Sequence, residues 1–202
     1  MVSLAAAAIF FACVAVIAIQ LSRVVCADVP PADDGPPPGK PPYAVLTGAS
    51  ALVGAALVYT GAMPLQLGIA ALVLFTLVAA WCSDTLCGLV PDVFTLPPLA
   101  VLLFFALAQH QWAIVFSAAI AFIPFALAAL FSRGRGMGWG DAKLVAVSGA
   151  ALGLPLVVLT LAVACAAAAL VHRIARGAPA PIAFAPYIAA ATGLALPLGL
   201  IR

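Results

Sequence analysis

Charged side chains are absent from five long stretches of the chain: residues 1–22, 41–83, 93–132, 144–172 and 177–201. One helical crossing of a bilayer needs about 20 consecutive apolar residues. The stretches 1–22 and 177–201 therefore hold one crossing each. The stretches 41–83 and 93–132 hold two each, because each has a break near its middle. Gly61–Ala62–Met63–Pro64 breaks the first, since proline starts a helix well and ends one badly. Gln109–His110–Gln111 breaks the second as its only run of consecutive polar side chains. Composition closes off other classes. The 202 residues include eight Lys or Arg, six Asp and no Glu, and 67% are hydrophobic. A soluble domain is about a quarter charged. So little polar surface cannot cover a water-soluble fold, and so apolar a chain is not disordered. The net charge of +2 is small and scattered, so no nucleic-acid partner is expected.

The stretch 141–172 reads either as one long span or as two short ones divided at Gly153–Leu154–Pro155. Arg133, Arg135 and Lys143 precede or open it, and Arg173 and Arg176 follow it. Two crossings keep these basic groups on one face, as the positive-inside bias favours. The piece 141–153 would be only roughly 20 Å long at 1.5 Å per residue, so it must lie within the bundle or reach part-way across. The expected fold is thus all-α, a polytopic transmembrane helical bundle of about eight segments. They run approximately over 3–22, 43–61, 64–82, 94–109, 112–131, 141–153, 156–172 and 183–201. With Arg23, Lys40, Arg133, Arg135, Lys143, Arg173 and Arg176 on the cytoplasmic side, only Arg202 lies outside, and both termini are external. The lipid bilayer is then one partner. Residues 1–202 form a single integral membrane domain.

Residues 23–42 are the one long polar stretch, a cytoplasmic loop rich in Pro and Asp. Most such loops are solvated linkers. A sharper reading is that Asp28, Asp33 and Asp34 attract a basic substrate segment. The stretch 1–22 lacks the basic start of a removable signal peptide, and its apolar run is long.

Of five cysteines, Cys13 and Cys165 lie in apolar runs, where Cys behaves as a small hydrophobe. Cys82 and Cys87 flank Asp84 with four residues between them, not the two typical of zinc knuckles, and no His is near. No metal and no cofactor are expected. A Cys82–Cys87 disulfide would face the reducing inner side, so none is expected there.

Asp84, Asp92 and Asp141 are the acidic residues outside the 23–42 loop, and each sits at a membrane boundary. A carboxylate beside a span is costly and points to function by default. The competing explanation is a helix cap or an interfacial charge. Asp92 fits it, because Val90–Pro91–Asp92 leads straight into an apolar span. Asp84 does not, since it ends a span, where the helix dipole disfavours negative charge. Asp141 follows Gly134, Gly136, Gly138 and Gly140, and a plain cap would not need four glycines. Two isolated carboxyls on one side of a bundle point to a dyad sharing a proton, in which the ionised group takes a proton from water and its neighbour donates to the scissile carbonyl.

These residues resemble the type IV prepilin peptidases, intramembrane aspartyl proteases of the Gly-x-Gly-Asp class. Asp84 to Pro97, with Pro91–Asp92 and Thr95–Leu96–Pro97, is similar to the family's first motif. Gly136-Met-Gly-Trp-Gly140-Asp141-Ala-Lys143-Leu is similar to its second, and Pro181 to Tyr187 resembles the start of its last span, with Ala185 where the family usually has Gly. The resemblance covers 64–201, the peptidase core, and implies that Asp84 and Asp141 are catalytic. Gly138, Gly140, Pro91 and Asp92 are the expected substrate-binding residues, and Lys143 is expected to face the headgroups. The implied substrate is a prepilin or pseudopilin precursor with a short basic leader, cut at the cytoplasmic edge of the bacterial inner membrane. Larger members carry paired Cys-x-x-Cys motifs after the first span. Here only Cys26 lies in that loop, so N-methyltransferase activity is not expected. Leu86 stands where a second acidic residue is frequent. Two other functions compete with this one. A proton-coupled transporter would use the same acids but leaves the glycines unexplained. An inactive assembly factor of the same fold would have no reason to keep both aspartates.

Overall fold

Glycine, proline and capping groups, rather than charges, set where each helix starts and stops. The computed structural model describes residues 3–29, 39–131, 137–174 and 183–199, and these form eight α-helices. They are α1 (Leu4–Ala27), α2 (Tyr43–Tyr59), α3 (Pro64–Cys87), α4 (Asp92–Ala108), α5 (Trp112–Phe131), α6 (Trp139–Leu152), α7 (Leu154–Ile174) and α8 (Ala185–Gly199). Asp33, Asp34, Arg133, Gly134, Arg135, Gly136, Arg176, Pro181 and Arg202 lie outside the described residues.

The expected breaks fall as read. Pro64 opens α3, and the Met63 N–H donates to Gln66 Oε1 at 2.7 Å. His110, at φ 56°, forms the turn between α4 and α5. Gly153, at φ 76°, divides the stretch 141–172 into two helices. Two boundaries move. Helix α1 runs on to Ala27, so the first five residues of the expected 23–42 loop are helical. Helix α3 runs on to Cys87, ended by Gly88 in the left-handed region at φ 68°. In both cases a charged residue marks the edge of the apolar run but does not stop the backbone. For α3 the stop is Gly88, in the left-handed region.

The count of crossing segments also changes. By length and composition, four helices can cross a membrane alone: α1, α3, α5 and α7. Helices α2, α4 and α8 are apolar but have only 17, 17 and 15 residues. Each of the two long charge-free runs is shared between two helices across the turns at 60–63 and 109–111, which leaves one helix of each run at 17 residues. Helix α6 has 14 residues, and every one from Leu144 to Leu152 is buried. It is the bundle's inner post, as its short length required.

Close packing relies on small residues, as expected where lipid offers no hydrophobic drive to hold helices together. Phe11 of α1 sits against Gly54 of α2, where a Cβ would lie 2.5 Å from the ring. The Ser117 hydroxyl of α5 donates to the Gly149 carbonyl of α6 at 2.9 Å, and a Cβ on Gly149 would lie 2.8 Å from the Ser117 carbonyl oxygen. The Thr192 hydroxyl of α8 donates to that of Ser148 on α6 at 3.0 Å. Ile9, Phe104, Phe131 and Leu194 point outward and stay exposed, as a lipid-facing surface requires.

The α5–α6 contact is backbone against backbone and has no side chain that can swing aside. Gly149→Ala is therefore expected to lower stability by about 1–3 kcal/mol. Gly48→Ala, in the interior of α2 where nothing lies within 4 Å of the added Cβ, should raise it by about 0.5–1 kcal/mol. Thermal unfolding of the detergent-purified protein reads both, and equal midpoints for the two variants would contradict this packing.

Candidate active site

One end of the bundle collects the termini of several helices. The last turns of α1 and α3 and the first turns of α4, α6 and α8 meet there. The chain also returns there at Gly39, whose N–H donates to the Thr85 carbonyl at 2.8 Å.

Asp84 lies in the final turn of α3 and is 7% exposed. A carboxyl so placed has lost water and needs a donor from the protein. It finds one in the Ala185 N–H, 3.2 Å from Oδ2. Ala185 is the first residue of α8, and its N–H is one of the donors that a helix start leaves without an internal partner. The positive end of the α8 dipole thus faces Asp84 and opposes the unfavourable dipole of α3, which had made Asp84 hard to explain as a structural residue. Gly140, next to Asp141, packs on Val90, two residues past the Gly88 that closes the Asp84 turn, so the two carboxyls lie at the same end of the bundle although 57 positions apart in the chain.

Asp141 does not begin its helix, as the sequence had implied. Gly138 is the N-cap of α6, and Asp141 lies three residues further on. Its carboxylate folds back over the start of α6, with Oδ2 3.6 Å from where a Cβ on Gly138 would lie. The two glycines before it differ in what they do. A Cβ on Gly140 would lie 2.6 Å from Val90 Cβ and 2.9 Å from the Val90 carbonyl oxygen, so only glycine lets the start of α6 rest on the turn between α3 and α4. A Cβ on Gly138 would meet nothing closer than Asp141 Oδ2 at 3.6 Å, and its φ of −76° suits any residue.

Pro91 is the N-cap of α4, at φ −62° and ψ 142°, and fixes how the α3–α4 turn enters that helix. Asp92 was expected to cap α4. It is instead the first helical residue, and the carboxylate pairs with the Lys143 ammonium of α6. Lys143, expected to face headgroups, is therefore a strut between two helix starts. Among the described parts of the acidic loop, Asp28 is exposed at the end of α1. Ala185 and Val90 were not identified as site residues from the sequence. Both act through backbone atoms or shape, which a residue's identity does not advertise.

Fold and site together define a helical membrane protein with two carboxyl groups drawn together at one end. Residues 70–172 match the profile of the type IV leader peptidase family, a span that holds both Asp84 and Asp141. The match covers half of the chain, and the chain belongs to this family of peptidases. No curated protein and no solved structure matches it.

The unequal crowding at the two glycines gives a sharp expectation. Gly138→Ala should keep peptidase activity. Gly140→Ala must push the start of α6 off Val90, and displacements near 1 Å at a reacting group cost on the order of 100-fold. Peptide cleavage assayed in membranes containing equal amounts of each variant decides it, and a Gly140→Ala protein as active as the wild type would show the contact to be dispensable.

Proposed function

We propose that this chain is an intramembrane aspartyl endopeptidase that removes the short basic leader of a prepilin or pseudopilin precursor. The observation that carries the proposal is the convergence of Asp84, in the last turn of α3, and Asp141, in the first turn of α6, onto one end of an apolar bundle where Gly140 packs on Val90. Neither is held by a neighbouring cation among the described residues, since the one ion pair at this end joins Asp92 to Lys143. Two carboxyls so placed can share one proton. The ionised member takes a proton from water, and the resulting hydroxide-like oxygen attacks the scissile carbonyl. The protonated member donates to the carbonyl oxygen as charge develops on it. The pair titrates as a unit, so neither role belongs to a named residue.

Family membership supports a leader-type substrate. The distribution of charge supports a site facing the cytoplasm from the bacterial inner membrane: Arg23, Lys40 and Lys143 all lie towards the end that holds Asp84. A precursor with an apolar helix following a polar leader would place its boundary at the membrane edge, level with these carboxyls. Gly138, exposed and beside Asp141, is available to a substrate backbone, and Pro91 sets the entry to α4 at the same end. Gly140 and Asp92 serve the framework through Val90 and Lys143.

Co-expression of a pilin-like precursor with wild type, Asp84→Asn and Asp141→Asn tests the proposal. Each variant removes one member of a proton-transfer pair, so leader removal should fall by a factor of about 10²–10⁴. Leader removal near the wild-type rate by either correctly inserted variant would sink the dyad.

A further inference from the structure

Close to the carboxyl pair, the same end of the bundle holds a second pair of reactive groups. Cys26 lies in the last turn of α1 and Cys87 is the last residue of α3. Their Sγ atoms are 2.8 Å apart, both as free thiols. The register of the two helices explains the meeting. The Ser22 hydroxyl of α1 donates to the Ala79 carbonyl of α3 at 3.2 Å. In that register Cys26 falls level with Ser83, its sulfur 4.0 Å from the Ser83 carbonyl oxygen, and Cys87 stands one turn further along α3. The Cys87 thiol donates to the Ser83 carbonyl at 3.1 Å, which holds its sulfur on the side of α3 that faces α1. Cys82 packs into a different place, an apolar cluster with Ala15, Ala18 and Ile19.

The sulfurs need to close by under about 1 Å to reach disulfide bonding distance. Cys87 is buried, but Cys26 is partly exposed, so a small oxidant can reach the pair through Cys26. Cys87 also belongs to the turn that carries Asp84, three residues before it, and Gly88 closes that turn by donating its N–H to the Asp84 carbonyl at 3.0 Å.

We propose that Cys26 and Cys87 form an oxidation site at which a peroxide joins α1 to the Asp84 turn of α3 and slows cleavage. The chemistry needs one equivalent of peroxide. The Cys26 thiol gives up its proton and the thiolate attacks the O–O bond, which breaks; the hydroxide released takes up that proton, giving a sulfenic acid and one water. The Cys87 sulfur then displaces hydroxide from that sulfenic acid, forming the S–S bond and, with the Cys87 proton, a second water. Two thiols are oxidised and one peroxide is reduced. In a reducing compartment such links are transient and redox-sensing rather than structural, which fits a pair beside a site facing the cytoplasm. The effect on cleavage rests on the aspartyl peptidase reading above, whereas formation of the link does not.

Membranes holding the full chain are treated with hydrogen peroxide, free thiols are alkylated, and the digested protein is read by mass spectrometry. The expected result is a peptide joining Cys26 to Cys87, present in Cys82→Ala and absent from Cys26→Ser and Cys87→Ser. Leader removal by the oxidised wild type should fall on the order of tenfold, as small displacements near a reacting group do. It should return with dithiothreitol, which does not reverse methionine oxidation. Cys26→Ser should cleave equally before and after peroxide. Full alkylation of both thiols after peroxide, or a link to Cys82 instead, overturns the site. A Cys26–Cys87 link that leaves cleavage unchanged overturns its effect. If the reduced wild type does not cleave at all, the peptidase reading fails, and the linked peptide still decides the site.

Discussion

A carboxyl group held inside an apolar bundle must be met by donors, and the placing of Asp84 governs much of what surrounds it. Its own helix offers none, because the end of α3 presents carbonyl groups. The donor comes from the start of α8, 101 positions along the chain. That contact requires an N–H at residue 185, which Ala supplies as well as Gly does and proline could not. Pro186 follows at a point in the first helical turn where a missing N–H costs nothing. Helix α8 is then tied to α6 through Thr192 and Ser148, and α6 to α5 through Gly149 and Ser117. A chain of polar contacts thus links the two helices that carry Asp84 and Asp141.

The second constraint is how closely α6 approaches the α3–α4 turn. Gly140 rests on Val90, and Lys143, one turn into the helix, pairs with Asp92 on the other side of that turn. Packing fixes the distance of approach and the ion pair fixes its direction. The pair is partly exposed, so it contributes little energy by itself, on the order of 0.2–1 kcal/mol. Its value lies in orientation. Asp141 lies between these two anchors in the first turn of α6, with its carboxyl turned back toward Gly138.

Much of this was legible in the sequence. Charge-free runs, with breaks at Pro64, Gln109–Gln111 and Gly153, located all eight helices. The burial cost of a lone acid singled out Asp84 and Asp141, and the glycine run drew attention to the start of α6 without pointing to Val90. What stayed hidden has common physical causes. Helix ends at Ala27 and Cys87 were missed because charge reports the edge of the apolar run, while the backbone runs on until a residue such as Gly88 ends it. The Asp92–Lys143 pair was missed because each residue had a sufficient local explanation, and only the packing of α4 on α6 brings them together. Ala185 was flagged as a departure from a family pattern, yet its contribution is a backbone N–H. Gly138 and Gly140 looked alike in the motif and differ only in what lies across from them.

The central claim is that the carboxyls of α3 and α6 face each other within the membrane-embedded protein. Cysteine cross-linking tests it without depending on any substrate. In a chain with its five native cysteines replaced, Asp84→Cys and Asp141→Cys are introduced together, and membranes are treated with a short bis-thiosulfonate linker. The account predicts an intramolecular link between the two positions, and none when Asp84→Cys is paired with Tyr59→Cys at the opposite end of the bundle. Separate labelling of positions 84 and 141 with no link between them would contradict it.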